Sequence, residues 1–160
     1  MSPTLTPQLI LQQESESRLP TFDFQLAWQL GQNLQQRASE QNLPVAIEVY
    51  AFGQPLFLAA LPGSSPDNLE WMKRKRNSVL RFSHASMYIG LINVQNGKPM
   101  VQQNWIAQDT FSDHGGSFPL LNDAGVVFGA VSVSGLPSEE DHMLALWGVQ
   151  QLQQHLNAKN

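Results

Sequence analysis

The 160-residue chain contains no cysteine. That excludes disulfides, thiolate zinc sites, iron–sulfur clusters and a cysteine nucleophile, and it fits a reducing compartment. Charge is sparse as well: 14% of residues are charged, and the net charge is −4. A general nucleic-acid binder carries a basic balance, so no nucleic-acid partner is expected. No apolar run approaches the ~20 residues that span a bilayer. Met1 to Thr6 lack the basic-then-apolar pattern of a secretory leader. The expectation is a cytoplasmic chain with no membrane partner. No strand-like segment is followed by Gly-x-Gly-x-x-Gly or a P-loop. There is no Gly-x-Ser-x-Gly and no His-Glu-x-x-His.

What is present reads as one mixed domain over 20–160, preceded by a tail and short helix over 1–19. Residues 1–7 hold two prolines and no periodicity, which predicts a loose tail. Gln8 to Arg18 suits a short helix that Leu19-Pro20-Thr21 ends. Asp23 is an N-cap candidate for a second helix, where Leu26, Leu30, Leu34 and Ala38 recur every four residues. Val45 to Ala51 and Leu56 to Ala60 read as the arms of a hairpin. A helix follows from Asp67 or Asn68 to about Ser83, with another piece from Ser86 to Leu91. Leu120-Leu121 and Val126 to Val133 suit strands, and Ser138 to about Leu156 a closing helix. Helices flanking short strands joined by hairpin-length turns predict an α+β fold, an antiparallel sheet with helices packed on it.

Three features suit chemistry. The first is Lys73-Arg74-Lys75-Arg76, with Arg81 beyond. On the helix, Arg76 falls on the stripe of Leu69, Met72 and Val79. A charge there needs a partner: a carboxylate in the fold or across a subunit contact, or an anionic ligand. The second is His114-Gly115-Gly116-Ser117-Phe118-Pro119. Paired glycines allow a tight turn or a close approach of backbone to ligand. A histidine at its lip suits metal or haem ligation or proton transfer, and equally an exposed structural turn. The third is Ser138-Glu139-Glu140-Asp141-His142. Ser138 and Asp141 fit a capping box, while Asp141 and His142 could belong to a metal cluster. His142 also leads the stripe Ala145, Val149, Leu152 and Leu156, as a packed histidine would.

Residues 69–90 (LEWMKRKRNSVLRFSHASMYIG) and 113–146 (DHGGSFPLLNDAGVVFGAVSVSGLPSEEDHMLAL) together resemble the haem-degrading domain family of GlcG-like proteins. Within it they resemble the uncharacterised subgroup marked by W-M-x-R-K-R-N and H-G-G-x-F-P. The resemblance spans about 20–156. It implies a profilin-like fold: a five-stranded antiparallel sheet flanked by helices in α/β/α layers. The family's Gly-Gly-x-x-Pro turn matches Gly115, Gly116 and Pro119, with His114 before it. Its Ser-Gly followed by an acid matches Ser134, Gly135 and Asp141. The subgroup motif matches Trp71, Arg74, Lys75, Arg76 and Asn77. Such proteins tend to form homo-oligomers, and some relatives bind or degrade haem.

Three readings follow. In the first the chain binds or degrades haem, with His114 as axial ligand and Arg76 or Arg81 on a propionate. In the second it is a non-enzymatic oligomeric scaffold or a module for a small anionic ligand, with the W-M-x-R-K-R-N helix as an interface. In the third Arg76, His114 and Asp141 converge on an anionic small molecule.

Overall fold

A computed structural model describes residues 4–159. The helices are α1 (Pro7–Glu16), α2 (Phe24–Glu40), α3 (Pro66–Phe82), α4 (Ser86–Gln95) and α5 (Ser138–Ala158). The strands are β1 (Ala46–Ala51), β2 (Gln54–Ala60), β3 (Ser117–Leu121) and β4 (Val127–Ser134). The sheet is antiparallel throughout, in the order β2-β1-β4-β3.

Local chemistry sets several of these boundaries. Asp23 accepts a hydrogen bond from the Leu26 amide at 2.7 Å and starts α2, as its sequence predicts. Thr6 caps α1 in the same way, so only residues 1–3 of the expected tail lie outside the described residues. For α3 the cap is Ser65, two residues earlier than expected, with Asn68 closing a capping box and Pro66 at the first helical position. The β1–β2 hairpin turns on two residues, Phe52 and Gly53, both at positive φ (56° and 79°). Asn-Gly is the usual solution for such a turn; here a phenylalanine takes the left-handed position.

The strands alternate between two faces. Ile47, Val49, Val131, Val133 and Phe118 contribute to the core shared with α2 and α5, whereas Glu48 and Tyr50 meet α3. Helices therefore cover both sides of the sheet. The sheet has four strands rather than five. The fifth place, beside β3, is reduced to one parallel bridge between Leu19 and Asn122. The next residue, Pro20, has no N–H with which to extend a ladder. The 97–116 segment, between α4 and β3, contains a short 3₁₀ turn (Met100–Gln102) and no strand.

Candidate functional site

The basic run is divided by the turn of α3, and each cation meets a different environment. Arg76 lies across β1: Nε donates to Glu48 Oε1 at 2.9 Å and Nη2 to Oε2 at 3.3 Å, while the guanidinium covers the Tyr50 ring at 4.2 Å. Its partner is thus a carboxylate within the fold. Arg81 is exposed and rests on Phe82, Trp105 and Phe111, at 4.9 to 5.3 Å from the ring centroids.

Lys75 is the buried cation. Its Nζ donates to the carbonyls of Val133 (2.7 Å) and Gly115 (3.0 Å), and lies 3.5 Å from Asp141 Oδ2. Asp141 in turn accepts from the amides of Leu136 (3.0 Å) and Gly135 (3.4 Å). The pair ties α3, the end of β4, the start of α5 and the histidine loop together. Burial drives both groups towards neutrality, lowering Lys75 and pushing Asp141 up to about 6 against their mutual attraction. Asp141 therefore does not complete the expected capping box: α5 starts after Pro137 with no side-chain cap.

Gly116 adopts φ +131°, and a Cβ there would collide with Lys75 Nζ and the Val133 carbonyl. A Cβ on Gly115 would strike the Ser138 carbonyl and Met87. Both glycines serve close packing of the loop on the Lys75 anchor and α5. His114, one residue earlier, projects outward. Its ring lies 4.8 Å from that of Trp71, which also carries the Arg74 guanidinium at 4.6 Å.

His114 stands between two cavities. One, of about 250 Å³, is walled by Trp71, Lys75, Gly115, Ser138 and Asp141. The other, of about 530 Å³, has apolar walls from Val94, Pro99, Met100, Val101 and Phe111, with Arg74, Asp113 and His114 at its polar side. Arg74 Nε is buried there and has no hydrogen-bond partner among the described residues. His114 and Asp141 thus share the smaller cavity, and Arg76 lines neither. Asp141 and His142 point apart: the His142 ring is fully buried, with Nε2 2.8 Å from Gln13 Oε1 and Phe118 alongside. Burial pushes it down to about 4. Among the described residues no group of three or more acidic or histidine side chains is placed to hold a metal ion. None of their helices is long and apolar enough to cross a membrane.

Lys75, present in the subgroup motif, is the buried cation that the stripe through Leu69 does not single out. Its signal was present: Met72, Lys75 and Val79 follow helical spacing, and all three are buried. Placing the stripe through Leu69, which is exposed, turned it towards Arg76.

The larger cavity has the size of a cofactor site, about 300–1,000 Å³. Haem asks for an apolar slot for its ring, a cation for its propionates and an imidazole for its iron. Met100 and Phe111, Arg74 and His114 supply that set.

A family described as "Haem degrading protein HbpS-like" matches residues 22–150. A UPF0303 protein of Psychromonas ingrahamii is 46% identical over 140 residues, covering 87% of each chain. One of Rhizobium etli is 45% identical over 137 residues, covering 86% of this chain and 83% of the relative. Among solved structures, Ybr137w superposes with a TM-score of 0.85 at 27% identity, covering 93% of this chain and 88% of that one. HbpS (TM-score 0.67, 16% identity, 95% and 94% covered) and a PduOC:haem complex (0.68, 22%, 81% and 94%) share the fold.

Proposed function

This chain belongs to the HbpS-like family of haem degrading proteins, and on that premise we propose that it binds haem in the larger cavity beside His114. One observation carries the reading: an apolar cavity holds the exposed His114 imidazole and the Arg74 side chain together at its polar side. In this reading Arg74, rather than Arg76 or Arg81, meets a propionate. Trp71 steadies the His114 ring, and the Lys75 anchor fixes the backbone beneath it. Haem held there by His114 and Arg74 would supply oxygen chemistry at its iron. Homo-oligomerisation and a cytoplasmic, cysteine-free setting belong to the same reading.

The propionate contact is tested with two ligands, haemin and its dimethyl ester. Arg74→Ala should weaken haemin binding about tenfold, the scale of one charge-assisted contact. It should leave the ester, which has no carboxylates, unaffected. Equal losses for both ligands would remove Arg74 from the site.

A further inference from the structure

The face of the sheet covered by α2 and α5 holds a further cavity, which the haem reading does not use. It measures about 360 Å³ and lies between the C-terminal turn of α2 and the first half of α5. Within α5, Glu140, Met143 and Trp147 follow at helical spacing and so share one side of the helix. Leu43, after α2, and Leu136, before α5, complete an apolar wall with Met143 and Trp147. Arg37, in the last turn of α2, and Glu140, in the first turn of α5, bring one charge of each sign to the same cavity. None of these residues lines the larger cavity beside His114.

Arg37 is the informative side chain. Its guanidinium lies over the Trp147 ring, 4.4 Å from the centroid, and among the described residues it forms no ion pair. Stacking occupies the flat face of the guanidinium and leaves its edge, where the N–H donors point, for a planar acceptor. A carboxylate fits that edge with two parallel hydrogen bonds. The stack also holds the fork in place, so less side-chain freedom is lost when a ligand binds. Glu140 is exposed at the same cavity, and among the described residues it too forms no ion pair. Helix dipoles account for the sign of each charge, a cation ending α2 and an anion opening α5. They leave the apolar wall between the two charges unexplained.

Glu140 repels a simple carboxylate and Arg37 repels a simple amine, whereas a ligand that carries both charges satisfies both. The wall sets the rest of that ligand. It offers aliphatic, thioether and indole surface, and the thioether adapts to the shape it meets. The volume falls at the small end of the ~300–1,000 Å³ range of ligand sites. We infer that this cavity binds a free α-amino acid with an apolar side chain, its carboxylate on Arg37, its ammonium on Glu140 and its side chain against Met143 and Trp147. The inference is independent of the haem reading, because α2 and α5 build this site while α3, α4 and the 97–114 segment build the larger cavity.

Calorimetric titration of the full chain tests it. The probes are L-leucine and L-phenylalanine, each beside its two fragments. Isocaproate and hydrocinnamate lack the ammonium; isopentylamine and phenethylamine lack the carboxylate. At least one amino acid should bind saturably with a Kd below about 1 mM, and about tenfold more tightly than either of its fragments. Glu140→Gln, at an exposed position, should erase the advantage over the acid fragment. Arg37→Met should erase the advantage over the amine fragment, with circular dichroism unchanged; if it alters the fold, Glu140→Gln alone decides. No saturable binding of either amino acid, or fragments that bind as tightly as the whole, would overturn the inference. Full amino-acid affinity in either folded variant would overturn it too.

Discussion

Among single residues, Lys75 has the most to lose. Replacing it by methionine keeps the aliphatic stem but leaves the Val133 and Gly115 carbonyls and the Asp141 carboxylate without their cation. Breaking a buried pair from one side costs about 3–5 kcal/mol, so Lys75→Met should lower the urea midpoint by that equivalent. Arg76→Met, at a pair that keeps more contact with water, should cost less. His142 predicts a pH effect. Its folded value, about 4, lies below the 6.5 of an ordinary histidine, so the unfolded chain takes the proton first. The stability that neutral His142 permits is present above 6.5 and is lost as pH falls towards 4. Asp141 acts oppositely: its raised value of about 6 means the native state holds the proton more tightly, which favours folding as pH falls through 6. His142→Gln removes only the first effect. Its stability relative to wild type should therefore rise by up to about 3 kcal/mol between pH 6.5 and 4, read by urea titration at each pH. Parallel curves would mean that His142 does not titrate differently in the two states.

At the scale of elements, much was legible because local signals agreed with tertiary packing. Asp23 and the Leu30, Leu34, Ala38 spacing located α2. Val45 to Ala51 and Val126 to Val133 located β1 and β4 to within a residue or two. What escaped was set by partners distant in sequence. Asp141 resembles a capping acid until Lys75, 66 residues away, is brought against it. Arg74 and Arg76 differ by only two positions, yet helical rotation gives one the cavity and the other Glu48. His114 and its glycines stood out by composition, but the larger cavity beside them is walled by α3, α4 and the 97–113 segment, and the smaller by α3, the end of β4 and the start of α5. Gly31 shows tertiary structure overriding propensity. Alanine there would gain ~1 kcal/mol of helix propensity. Its Cβ would, however, enter the Phe57 ring, and overpacking costs about 1–3 kcal/mol. Gly31→Ala should therefore lower Tm in calorimetry; a raised Tm would show that Phe57 moves aside freely.

For the whole molecule, the sheet separates two surfaces. The β2 end presents an uncharged edge strand beside exposed aromatic side chains. The α3 side holds His114 between two cavities, on a loop anchored by Lys75 and Asp141. Membership of the haem degrading family gives the second surface its meaning, and His114 is the residue on which that meaning depends. The decisive measurement is a haemin titration of the purified protein followed by absorption spectroscopy, wild type beside His114→Ala. Haem ligation by His114 predicts a saturable one-to-one Soret shift for wild type, absent or displaced to a weaker, differently positioned band in the variant. No saturable shift, or the same band and affinity in both proteins, would contradict it.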